Sequence, residues 1–86
     1  QQLAPGHAGD VTMVLCTLQP GCSSSGKMVS HLYTEVCFVI AGRIRALRAG
    51  GEELLGPGDT IRVTPGVLHD FYNVGDAPAV VLAVTF

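Results

Sequence analysis

The chain has no tryptophan, and only 14% of its 86 residues are charged, well short of the roughly 25% usual in soluble domains. So little charge leaves apolar surface that water covers poorly, which predicts burial between subunits and hence a homodimer. Basic residues number five against seven acidic ones, giving a net charge of −2. They form no continuous cluster. Arg43 and Arg45 share one parity of a strand-like run, with Arg48 after them, which suits a solvated face or a contact to a substrate carboxylate. Nucleic acid needs a broader positive footprint and is excluded as a partner. No apolar run approaches the roughly 18 residues of a membrane span. No positively charged secretory leader is visible either. The three cysteines, Cys16, Cys22 and Cys37, include no CxxC pair, and their odd number leaves at least one free. Free thiols fit a reducing compartment, so a cytoplasmic location is expected.

Sustained helical periodicity is missing too, as are repeats and linkers. Short β-rich runs separated by turn residues are present instead. The runs are Val11 to Leu18, Glu35 to Ile40, Arg43 to Arg48, Glu52 to Leu55, Thr60 to Val63, His69 to Val74 and Ala79 to Phe86. Gly56-Pro57-Gly58-Asp59 is the strongest turn signal among the separators, and Ser23 to Gly26 form a loop suited to lining a mouth. The pattern predicts one all-β domain over 1–86, with residues 1–10 as a flexible head or a first edge strand. Val36, Phe38 and Ile40 oppose Cys37 and Val39 in parity, so that strand is apolar on both faces and covered on both. Periodicity alone leaves a β-sandwich and a barrel both open.

Chemistry-bearing residues fall in two segments, His31-Leu-Tyr-Thr-Glu35 and Pro65-Gly66-Val-Leu-His69. Even spacing on a strand means one face, so a closed sheet would bring His31, Glu35 and His69 to one point in its lumen. Two imidazoles and a carboxylate suit a divalent iron, manganese, nickel or zinc ion. Plainer readings stand beside this one, with His31 as an exposed loop residue and His69 as a turn-exit residue. A carboxylate facing a closed lumen is costly without a partner, and either a metal or a protonated histidine would serve Glu35. Tyr33 reads as a proton donor near the site or as a rim aromatic. Cys37 shares the parity of Glu35, as Phe71 does that of His69, so both face the lumen, the thiol as a small apolar group. Cys16 reads as core and Cys22 as a loop thiol. Asn73 either orients a ligand or holds its strand. Asp59 and Asp70 read as turn and surface carboxylates, and His7 as a tail residue or a substitute ligand.

These residues resemble the two motifs of the cupins, which are double-stranded β-helix (jelly-roll) barrels. Glu35 and Gly42, with six residues between them, match the end of the first motif, and His31 stands at its second histidine. Gly58, Gly66, His69 and Asn73 match the second motif, with Thr64 at the usual proline and Pro65 one step later. The first histidine of the pair falls at Val29, which ligates no metal, and Cys22 to Gly26 look like a small insertion. The resemblance implies a metal held by His31, Glu35 and His69. It implies a substrate pocket with Val29, Cys37, Phe71 and Asn73, and Tyr33 or Glu35 moving a proton. It also implies dioxygenase, isomerase, cyclase or lyase activity on a small molecule. Val, Leu, Phe and Cys in the lumen point to a hydrophobic or aromatic substrate. The alternative class is a non-catalytic small-molecule-binding or sensor barrel, its metal site weakened by Val29.

Overall fold

The structure, a computed structural model, describes residues 11–86. The expected head over 1–10, with His7, lies outside the described residues. Seven strands follow one another: β1 (Thr12–Leu18), β2 (Glu35–Ala41), β3 (Ile44–Arg48), β4 (Gly51–Leu55), β5 (Thr60–Val63), β6 (His69–Asn73) and β7 (Ala79–Thr85). Each expected strand is found, with ends that differ by no more than one residue. They form two antiparallel sheets in the orders β1-β7-β2-β5 and β4-β3-β6, which face each other as a double-stranded β-helix. Among the described residues there is no helix long and apolar enough to cross a membrane.

Strand alternation builds the interior. On β2, Cys37 and Val39 point inward and are buried, while Phe38 and Ile40 point outward and remain exposed. Ile44 and Ala46 of β3, Ile61 and Val63 of β5, and Ala79 and Val81 of β7 complete the core by the same rule. Each large aliphatic group buried there contributes about 1.5–3 kcal/mol. At the far end of β2 the chain turns through Gly42, whose φ of +90° disfavours a side chain, and a Cβ there would meet Ala79 Cα at 2.7 Å. The outer face of β3 and β4 carries the exposed ion pair Arg45–Glu52, at 3.5 Å. Arg48, of the opposite parity, pairs with Glu53 and donates to the Arg62 carbonyl of β5 at 3.0 Å, linking the rims of the two sheets.

Two features depart from the sequence expectation. Residues 21–29 do not only loop over the mouth; they run along the free edge of β6. The Gly21 N–H donates to the Asn73 carbonyl at 3.0 Å, Ser24 N–H to Phe71 at 2.8 Å and Val29 N–H to His69 at 3.0 Å. Asp70 explains why. Expected at the surface, it is instead 1% exposed, and its Oδ1 accepts from Ser24 Oγ (2.9 Å), Ser25 N–H (3.2 Å) and Phe71 N–H (2.8 Å). A carboxylate so enclosed is stable only with such donors, and the segment 23–25 wraps onto it to supply two of the three.

Asn73 is the second correction. The family resemblance places it in the substrate pocket, but of its two readings the structure bears out the other, holding its strand. It lies at the end of β6 with its amide nitrogen donating to the Leu18 and Ala77 carbonyls at 2.9 and 2.8 Å. Its Oδ1 accepts from Gly75 N–H at 2.8 Å. Every polar atom of the side chain is thereby spent on holding strand ends together.

Candidate metal centre

His69 opens β6 and is buried to 3% exposure. Its Nδ1 lies 2.8 Å from the Val67 carbonyl. A carbonyl only accepts, so Nδ1 carries the proton, and in the neutral ring Nε2 presents a lone pair. That nitrogen lies 3.0 Å from Glu35 Oε1. Glu35 sits at the first position of β2, its side chain turned inward by the alternation that also buries Cys37 and Val39. His31 Nε2 approaches the same carboxylate oxygen at 3.8 Å. One donor atom from each of His31, Glu35 and His69 lies within 4.8 Å of the others.

His31 reaches this point by a route that even spacing did not describe. Residues 31–34 are not strand, so no pleat orients the ring. Backbone tethers do so: the His31 carbonyl accepts from Gly66 N–H at 2.8 Å, and Thr34 exchanges two 2.9 Å hydrogen bonds with Phe86. The turn at Gly66, with φ of +84°, is what brings the two ligand-bearing segments into contact. The imidazole then stacks on Tyr33, with centroids 4.7 Å apart and planes within 7°, and meets His69 edge-on at 5.0 Å. Tyr33 therefore supports His31 and is not among the residues lining the cavity. Partial burial, reinforced by the Glu35 charge, raises its phenol pKa and keeps it protonated.

The donor set fits a divalent ion. Two imidazole nitrogens face one carboxylate oxygen, an arrangement that calls for a proton or a cation between them, and the Val67 carbonyl holds the more buried ring by its other nitrogen, as is typical of ligating histidines. Among the described residues, Glu35 has no cationic partner other than a protonated His31 or His69 to neutralise it.

The three residues form part of the wall of a cavity of about 210 Å³, smaller than the roughly 300–1,000 Å³ that holds drug-sized ligands. Cys16, Leu18, Cys37, Phe71, Val81 and Ala83 supply its apolar lining, with Ser24 and Ser25 at the edge. Cys37 and Phe71 thus stand where expected. Val29 does not line the cavity; its backbone bridges to His69. Cys16, expected in the core, is a lining residue, and Leu18, Val81 and Ala83 were not singled out. Their signal was parity, since Cys16 pairs with Val81 across β1 and β7, and Cys37 pairs with Ala83 across β2 and β7. Cys37 Sγ lies 3.6 Å from Glu35 Oε2. Burial above all, then the Glu35 charge, pushes its thiol pKa upward.

A cupin-domain family model matches residues 14–85. The chain belongs to the cupin family. Among solved structures, this cupin is similar to a cupin-superfamily sugar phosphate isomerase from Silicibacter pomeroyi, at 31% identity and a TM-score of 0.79. The match covers 87% of the present chain and 49% of the isomerase, so the chain spans about half the length of that relative. A cupin 2 conserved barrel protein from Salinispora arenicola matches at 25% identity over 99% of this chain and 70% of its own, with a TM-score of 0.80. A predicted oxalate decarboxylase from Thermotoga maritima matches at 23% identity and a TM-score of 0.80, covering 86% of this chain and 64% of that one, a likeness of fold alone. No curated protein matches the chain significantly.

Proposed function

We propose that this cupin is a divalent-metal-dependent enzyme that transforms a small, uncharged, largely apolar or aromatic molecule inside its barrel. The observation that carries the reading is the convergence of His31, Glu35 and His69 on one point in the wall of an otherwise apolar cavity. A divalent ion held there supplies Lewis acidity toward a substrate oxygen or, as iron, redox chemistry with dioxygen. The chain's own side chains do the rest. Val67 holds His69 in its ligating tautomer, Tyr33 braces His31, and Leu18, Phe71 and Val81 exclude water while matching an apolar ring or chain. No lysine or arginine lines the cavity among the described residues, so the sugar phosphate named for the Silicibacter relative is not proposed as substrate. The three free thiols suit the reducing cytoplasm.

Metal analysis of freshly purified protein is the test, followed by oxygen-uptake assays after reconstitution with ferrous iron. Oxygen consumption identifies a dioxygenase, whereas turnover without oxygen, supported by several ions, identifies an isomerase, cyclase or lyase. Metal content unchanged in the His31→Ala/His69→Ala double variant overturns the site. Protein that carries an organic ligand but binds no metal identifies the non-catalytic alternative.

The outer face of β1-β7-β2-β5 supports a homodimer. Met13, Leu15, Phe38 and Ile40 are exposed there, with Val36, Val80, Leu82 and Val84 half-buried between them. Register joins them into one patch, Met13 to Val84 to Val36 and Leu15 to Leu82 to Phe38. The four exposed groups alone offer on the order of a few hundred Å², comparable to the largest patches left on monomers. A second copy packed on this face by two-fold symmetry buries it. The expected mass by light scattering is that of a dimer, reduced to a monomer by Leu15→Glu/Phe38→Glu; a monomeric parent protein refutes the arrangement.

A further inference from the structure

We propose that Thr85 is a positioning residue for Glu35, its hydroxyl donating to the carboxylate and so holding Glu35 as a one-oxygen ligand. The inference rests on the reading of His31, Glu35 and His69 as a metal site and adds to it a residue that touches no ion.

Placement follows from the register of β2 and β7. Thr34 and Phe86 exchange both of their backbone hydrogen bonds, at 2.9 Å each, so they form a hydrogen-bonded pair of the antiparallel ladder. The next pair, Glu35 with Thr85, is therefore of the close, non-hydrogen-bonded kind. Residues directly opposed in this way share one face of the sheet, with Cβ atoms about 4.5–5.5 Å apart, and Glu35 faces inward. Rotation of the two side chains is enough to bring hydroxyl and carboxylate into contact. On its other side Glu35 opposes Val63 of β5, which offers no polar group.

Polar accounting then gives the hydroxyl a task. Thr85 Oγ1 is buried and, among the described residues, has no hydrogen-bond partner. An enclosed hydroxyl left unpaired is destabilising, and a valine of the same shape avoids the loss. Glu35 has the matching deficiency. Both imidazoles approach its Oε1, while Oε2 has the Cys37 thiol, a weak donor, at 3.6 Å. Carboxylates that bind metals are themselves hydrogen-bonded. With Oε1 engaged beside the imidazoles, Oε2 is left as an acceptor that lacks a strong donor, and Thr85 carries an unused one across the ladder. Packing alone accounts for a β-branched residue at position 85 but gives no reason for its buried oxygen.

Thr85→Val, which keeps the shape and removes the hydroxyl, tests this in the whole chain through two measurements. Zinc affinity is read by competition with a chromogenic chelator, and stability by urea unfolding of the metal-free protein. The expected responses are unequal. Zinc binding should weaken by about 10-fold, whereas the urea midpoint of the metal-free variant should hold or rise. Thr85→Ser, which restores the hydroxyl, should return zinc affinity most of the way to that of the parent. Unchanged zinc affinity in Thr85→Val overturns the role of Thr85 and leaves the triad standing. A lowered urea midpoint, or a variant that fails to fold, shows that the hydroxyl already serves the fold and overturns the role as well. A parent chain that takes up no zinc overturns the triad and this proposal with it.

Discussion

The two segments that carry the imidazoles are built on different principles. His69 begins a strand that is hydrogen-bonded on both edges, to β3 and to residues 21–29, and its ring is clamped by the Val67 carbonyl. His31 lies in a non-strand segment held by a few tethers, beside Leu32, which is 94% exposed. One half of the centre is part of the barrel wall; the other is a flap fastened over it. Side chains locked by surrounding packing hold geometry tightly, while loop positions hold it loosely. The candidate centre therefore joins one ligand fixed by the barrel to one fixed only by loop tethers.

That contrast can be broken by unequal responses to substitution. Replacing His69 by Ala removes the fixed ligand and should weaken divalent-ion affinity by about 100-fold or more, measured by competition with a chromogenic chelator. Asn73→Ala should cost about 1–2 kcal/mol of folding stability, because it removes three hydrogen bonds made by a fully buried side chain to Leu18, Ala77 and Gly75. Urea unfolding reads that loss, and ion affinity in the folded protein should barely move. His31→Ala should weaken ion binding by only about 10-fold, since the neighbouring flap can rearrange around the loss. Equal losses for the two histidines would show that the flap is as rigid as the wall. Leu32→Ser should change stability by no more than about 0.5 kcal/mol, as expected of a surface site.

The sequence reads most clearly where one rule governs. Glycine and proline punctuation located all seven strands, and Glu35, Cys37, His69 and Phe71 were legible because pleat parity alone orients them. His31 was placed in the right cluster for an incomplete reason, since its ring is turned by the Gly66 and Phe86 tethers, contacts between residues distant in the chain. Asp70 was misread because alternation puts it on the outer side of β6, and only the wrapping of residues 23–25 buries it. Asn73 carries the same polar groups whether it contacts a ligand or holds carbonyls, and register decides between them. Cys16, Val81 and Ala83 carry the inward parity of their strands, but only the strand order β1-β7-β2 shows that this parity faces the cavity.

The close approach of Gly42 to Ala79 makes these two positions a single unit of variation. A methyl group added at residue 42 would collide with residue 79, and any larger group at 79, already fully enclosed, would have to push the opposing turn aside. Attempts to stiffen this barrel, or to graft its ligands onto another scaffold, must therefore carry both small residues together.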